Sequence, residues 1–181
     1  MTAIISEIFD LFTRFGGGHY GEELSLESHM LQTAALAESL GASAHVVVAA
    51  LLHDIGYFLR PDSETSIVEG RNIEHEALGA AWLVRWFPEE VTAPVAMHVH
   101  AKRYLCAVEP GYFGRLSEAS RLSLATQGGV MSEQEAMAFA QKPAFADALT
   151  LRRCDDGGKN VSIEPRSLEA YRELLTGSLR R

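Results

Sequence analysis

Apolar residues recur at intervals of three and four along the chain, a period that favours helices over strands, and no repeat or low-complexity tract interrupts it. An all-α fold is predicted. A first amphipathic helix runs from Ala3 to Phe15 and stops at "GGGHYG", since each glycine costs about 1 kcal/mol relative to alanine inside a helix. Ser25 and Ser28 can cap a second helix that carries His29, Leu31, Ala34, Ala35 and Leu40 and ends at Gly41. The third holds "VVVAALLHDIGYF", Val46 to Phe58, and ends near Arg60, because Pro61 disfavours helical geometry at the residue before it. Residues 62–72 are polar and read as a loop. Periodicity resumes in "IEHEALGAAWLVRWF" up to Pro88, with His75 in the first turn and Trp82, Trp86 and Phe87 at core spacing. It returns after Pro94, where His98 and Lys102 share a face. "EPGYFGRL" breaks that helix. Ser132 with Glu135 matches a capping box opening a helix to about Ala140, and another from about Ala144 carries Arg152 and Asp155 at its carboxyl end before "DDGGK". A last helix spans Ser167 to Leu174.

The 181 residues fit a single domain, 1–181, whose chemistry-bearing part is about 20–160. Hydrophobic residues at 47% and charged residues at 22% argue against long disorder. The formal charge of -8, from 16 basic and 24 acidic residues, disfavours nucleic acid and anionic membranes as partners. An anionic small molecule would need a local basic cluster. The start lacks the order of a signal peptide, and no apolar run approaches the roughly 20 residues of a membrane span. Cys106 and Cys154 lie far apart without CxxC spacing, which suggests reduced thiols and a cytoplasmic protein; no segment specifies an oligomeric state.

One stretch calls for chemistry. In "VVVAALLHDIGYF" seven apolar residues run into His53 and Asp54, and a carboxylate buried there costs several kcal/mol unless a cation or strong hydrogen bonds compensate. Residues suited to holding such a cation follow in order: His29, His53, Asp54, His75, His98 and the distant Asp155, each on or beside a predicted helix. Imidazole and carboxylate donors suit iron, manganese or zinc rather than a thiolate site. Six donors are too many for one catalytic metal with an open position. They fit two ions bridged by Asp54.

The order His29, His53-Asp54, Asp155 resembles the HD-domain superfamily of helical metal-dependent phosphohydrolases, and the added His75 and His98 resemble its dinuclear branch. "HVHAKRYL", "LSEASRLSLATQGGVM" and "LRRCDDGGK" are similar to the small HD-domain mixed-valent di-iron oxygenases, which cleave the carbon–phosphorus bond of 1-hydroxyphosphonates. That likeness runs from about Gly21 to Lys159. It implies a helical bundle with a dinuclear site in its core, two iron ions as a mixed-valent Fe(II)/Fe(III) pair, and O2 as co-substrate. By the resemblance, His29, His53, Asp54 and Asp155 hold one iron, and Asp54, His75 and His98 the other. Lys102, Ser120, Ser123, Gln127 and Arg152 surround the phosphonate, with Asp54 and Lys102 as the catalytic pair. These supply the basic cluster: Lys as a point charge, Arg as a forked donor, Ser as an adaptable hydroxyl.

Two positions depart from the family pattern. Where the family shows Tyr-x-Gly-Glu, whose Tyr caps the open iron and whose Glu receives a substrate amine, this chain has His19 in the Tyr place, Tyr20 one residue later, and Glu22. A second register uses Tyr20 with Glu23. Tyr57 stands where relatives commonly have a His that contacts the phosphonate; it either narrows the pocket, favouring hydroxymethylphosphonate, or offers an aromatic face to a quaternary ammonium. The resemblance implies a C–P-cleaving oxygenase acting on the 2-amino or trimethylammonio 1-hydroxyethylphosphonate or on hydroxymethylphosphonate. The alternative is a dinuclear HD phosphohydrolase acting on a phosphate ester with the same ligands.

Overall fold

A computed structural model describes residues 3–19, 22–60 and 62–180, and every regular element among them is helical. Helix α1 (Ala3–Phe15) forms at the predicted bounds and buries Ile4, Ile5, Ile8 and Phe12 along one face. Ser25 Oγ accepts from the Ser28 amide to open α2 (Leu26–Ser39), and Ser43 Oγ accepts from the Val46 amide to open α3 (Ala44–Leu52). Every residue from Val46 to Leu52 is buried. A helix apolar on all sides belongs in the middle, and α3 packs against α2, α6 (Glu89–Val108) and α10 (Phe145–Gly157).

Helix α3 ends at Leu52, short of the predicted Arg60. Asp54 departs from helical geometry (φ −101°, ψ 8°), and Ile55–Leu59 continues as a tighter 3-10 turn. Gly56 permits this: a Cβ there would lie 1.9 Å from the carbonyl oxygen of His75, so only glycine lets the turn press against the start of α5 (His75–Leu83). Asp54 and His75 are thereby brought together.

Other elements also differ from expectation. The polar 62–72 stretch contains a short helix, α4 (Ser63–Val68), whose first residue sends its hydroxyl to the Tyr57 and Arg60 carbonyls, both at 2.8 Å. Helix α5 stops at Leu83, whose carbonyl accepts from the Trp86 and Phe87 amides in a turn. Helix α6 (Glu89–Val108) begins ahead of Pro94, because the bond a proline removes is the one to Glu90, an exposed residue of the first turn. After α7 (Tyr112–Arg115) comes α8 (Glu118–Thr126), a helix not predicted: Ser120 and Leu124 alone are buried on it, so apolar periodicity is missing. Helix α9 (Glu133–Ala140) carries the predicted capping box, and α10 (Phe145–Gly157) follows. The carboxyl end is a 3-10 turn at Leu168–Tyr171 and then α11 (Arg172–Gly177), rather than one helix.

Phe87 is fully buried, and Trp82 and Trp86 pack at the margin of the same core. Helix α10 packs against α6, α2 and α3, and α5 against α6. Five segments therefore converge where the chemistry-bearing residues lie. No helix among the described residues is long and apolar enough to cross a membrane.

Candidate metal centre and substrate cavity

Side chains from all five segments meet at Asp54. Its Oδ2 faces His53 Nε2 at 3.3 Å and His29 Nε2 at 3.8 Å, while Oδ1 faces His75 Nε2 at 3.1 Å and His98 Nε2 at 3.7 Å. One carboxylate thus divides its oxygens between two imidazole pairs. In each set, {His29, His53, Asp54} and {Asp54, His75, His98}, the donor atoms lie within 4.8 Å of one another. Asp155 adds to the first, 3.3 Å from His29 Nε2. All six residues are buried.

The tautomers make this cluster a cation site. His29 Nδ1 donates to the Gly158 carbonyl at 3.0 Å, His53 Nδ1 to Ala50 at 2.8 Å and His98 Nδ1 to Val95 at 2.8 Å. A carbonyl only accepts, so Nδ1 carries the proton and a neutral ring presents a bare lone pair at Nε2. Yet the Nε2 atoms of His29 and His53 stand 3.2 Å apart, and those of His75 and His98 3.1 Å apart. Neutral rings that both presented lone pairs at that distance would repel, and a cation between them removes the repulsion. Nitrogens each about 2.0–2.1 Å from one metal at roughly right angles would be about 3 Å apart, so both pairs fit an ion.

Charge balance agrees. Burial would raise the Asp54 carboxyl, but His53 and His75 hold it well below the usual range; burial is likewise overcome at Asp155 by Arg152, with His29 and Lys159 adding to the effect. His53 is raised despite its burial, through Asp54 and Asp155. His98 is pushed well down by burial and by its histidine neighbours, which favours the neutral, ligating form. Gly158 lets the His29 carbonyl partner approach: a Cβ there would lie 2.5 Å from Thr33 Oγ1.

A cavity of about 410 Å³ opens onto this cluster and is also lined by Lys102, Ser120, Ser123, Gln127, Arg152 and Lys159. Lys102 is 2% exposed, and its Nζ donates to Ser123 Oγ at 2.8 Å, Gln127 Oε1 at 2.6 Å and the Ser120 carbonyl at 3.4 Å. Its acceptors are neutral, and among the described residues no carboxylate comes within ion-pair distance. Burial, and then the charge of Arg152, lower its pKa from 10.5 to about 7. Arg152 is buried too but well compensated, with Nη1 2.7 Å from Asp155 Oδ2, Nη2 on Asp156 and Nε donating to Tyr112 Oη at 3.2 Å. Against the opposing effect of burial, Asp155 and Asp156 raise its pKa well above normal.

Residues 26–121 match the HD domain family. This chain belongs to that family. It is 39% identical over 168 residues to the hydroxymethylphosphonate dioxygenase of Gimesia maris, covering 92% of this chain and 84% of that one. It is 41% identical over 162 residues to the glycine-betaine-forming [1-hydroxy-2-(trimethylamino)ethyl]phosphonate dioxygenase of Leisingera caerulea, covering 89% and 83%. An uncharacterized protein of Acanthamoeba polyphaga mimivirus is 36% identical over 174 residues, covering 94% and 80%.

The predicted metal ligands come together, and the residues predicted to surround a phosphonate line the same cavity; Ser123, Gln127, Arg152 and Asp155 lie beyond the matched stretch. Glu22 lines the cavity and Glu23 does not, which favours the ungapped register. However, the charge of Glu22 is already balanced, because Lys159 Nζ pairs with its Oε1 and Ser117 Oγ donates to the same oxygen at 2.8 Å. His19 reaches the cavity while its Nδ1 donates to the Glu23 carbonyl at 3.1 Å; Tyr20 lies outside the described residues. Tyr57 lines the cavity and stacks on His75, with ring centroids 4.2 Å apart at 12°. Sequence reasoning gave no role to Lys159, Tyr112, Asp156 or Glu76. Glu76 is buried with Oε2 3.4 Å from His75 Nδ1 and without a hydrogen bond on that oxygen, well placed to orient the ring. Lys159 had a signal, its place four residues after Asp155.

Proposed function

We propose that this HD domain protein is an oxygenase that uses dioxygen to cleave the carbon–phosphorus bond of a small 1-hydroxyphosphonate, releasing inorganic phosphate and a carboxylate. The reading is carried by the Asp54 carboxylate, whose two oxygens turn to separate imidazole pairs beside a cavity with buried cations. The names of two relatives, both dioxygenases of hydroxylated phosphonates, support it. For hydroxymethylphosphonate the balance closes with one O2: formate and phosphate together hold the two added oxygen atoms.

In this reading His29, His53, Asp54 and Asp155 hold one iron ion and Asp54, His75 and His98 the other, as a mixed-valent pair. Bound there, the pair supplies electrons for dioxygen activation and a Lewis acid for the substrate's oxygens. The chain itself binds and orients. Lys102, aimed into the cavity by three neutral acceptors, gives its charge to a phosphonate oxygen and offsets the negative charge on the departing phosphate. Arg152 is held on both sides by Asp155 and Asp156, so its position is fixed relative to a metal-ligating carboxylate. Ser120, Ser123 and Gln127 complete the phosphonate contacts.

The test is phosphate release by iron-loaded protein from 1-hydroxyphosphonates under air and under argon, beside a set of phosphate esters. Release that requires both oxygen and ferrous iron is expected. Oxygen-independent release from esters would instead mark a metal-dependent phosphohydrolase.

A further inference from the structure

The carboxylates lining the cavity among the described residues are Glu22, Asp54 and Asp155, and the last two belong to the histidine cluster. Glu22 is therefore the carboxylate left to meet a positive charge on a substrate. It is already engaged. Lys159 Nζ pairs with Glu22 Oε1 and donates further to Ser120 Oγ at 3.1 Å and Ser117 Oγ at 3.3 Å, so each of its three N–H groups has an acceptor. The two side chains are only 17% and 24% exposed, which limits screening by salt.

We propose that Lys159 is a specificity residue: by pairing with Glu22 Oε1 it balances the charge of that carboxylate and directs the enzyme to 1-hydroxyphosphonates bearing no positive charge, hydroxymethylphosphonate ahead of the 2-ammonio and 2-trimethylammonio compounds. The inference rests on the C–P cleavage reading above. A cationic substituent would enter a cavity also lined by Lys102, which has no carboxylate partner among the described residues, and would meet a Glu22 whose charge a mostly buried ammonium already balances. A trimethylammonium donates no hydrogen bond, so it could not replace those that Lys159 gives to Glu22, Ser117 and Ser120. Identities of 39% and 41% to relatives named for a phosphonate without and one with a trimethylammonium group do not separate the two substrates. The charge-balanced Glu22–Lys159 pair is what argues here for the substrate without a positive charge.

The experiment measures kcat/KM for phosphate release from all three compounds by the iron-loaded protein, with calorimetric binding under argon, for the wild type, Lys159→Met and the double variant Lys159→Met/Glu22→Gln. The wild type is expected to favour hydroxymethylphosphonate at least tenfold in both readouts. Freeing Glu22 in Lys159→Met should shift that ratio at least tenfold toward the cationic compounds, and the double variant should lose the shift. A wild-type preference for either cationic compound overturns the inference, whether or not the variants fold. So does a parallel loss for all three in Lys159→Met, which would make Lys159 another phosphonate-binding cation. Absence of phosphate from every compound would sink the oxygenase reading itself, an outcome distinct from release with the wrong preference.

Discussion

Replacing Lys102 by methionine should stabilise the protein while disabling it. The ammonium is buried, and burial followed by the charge of Arg152 takes its pKa from 10.5 to about 7. In the unfolded chain it keeps the ordinary value. Between about pH 7 and 10.5 the unfolded chain therefore holds a proton that the folded chain has released, so stability rises with pH across this window and is lowest beneath it. One pH unit corresponds to about 1.4 kcal/mol, and from pH 6 to pH 9 the titration adds about 2.5 kcal/mol to the wild type. Methionine removes the titrating group. Urea unfolding of metal-free wild type and Lys102→Met at the two pH values isolates the difference, because other groups titrate in both. The variant should be the more stable at pH 6, offset in part by about 1 kcal/mol for each hydrogen-bond acceptor left without its donor. Its advantage should shrink or vanish at pH 9. In the iron-loaded enzyme, kcat/KM for the phosphonate should fall roughly ten- to hundredfold with the lost charged hydrogen bond. Parallel pH dependences of stability would refute the reasoning, since Lys102 would then carry no buried charge.

Gly56→Ala places a Cβ 1.9 Å from the His75 carbonyl oxygen, and the overpacking should cost about 1–3 kcal/mol or more, read as a lower thermal midpoint with reduced iron content. An unchanged melt would mean that the 3-10 turn does not press on α5. Gly158→Ala drives a Cβ to 2.5 Å from Thr33 Oγ1 and pushes away the carbonyl that orients His29; metal affinity in a chelator competition should drop roughly ten- to hundredfold. In wild-type enzyme, KM for the phosphonate should climb as pH rises through about 7 and Lys102 loses its proton, bound iron moving the midpoint lower by repulsion. A KM that falls over that range would exclude Lys102 as the anchoring cation.

The clustering of the candidate metal donors was readable because the penalty on them is local: seven apolar residues before His53 and Asp54 already require compensation. Helix caps at Ser25 and Ser132 were equally plain, each being a contact within one turn. What escaped was set by distant contacts. Nothing near Leu52 announces that α3 must end there; the cause is the His75 backbone, reached across a loop through Gly56. Helix α8 shows too few apolar residues to be seen, its inner face being polar because it lines the cavity with Ser120 and Ser123. Lys159, Tyr112 and Asp156 read as ordinary polar residues, and only the fold shows that the lysine quenches Glu22 and the other two brace Arg152. Glu22 marks the limit of resemblance, since its position fits the family while its charge is already taken.

The central claim, that Asp54 is shared by two ions, is tested most directly by anomalous diffraction at the iron edge from crystals of iron-loaded protein. Two peaks are predicted, one between Asp54 Oδ2 and the His29–His53 pair and one between Oδ1 and the His75–His98 pair. A single peak, or an Asp54 carboxylate touching neither, would contradict it.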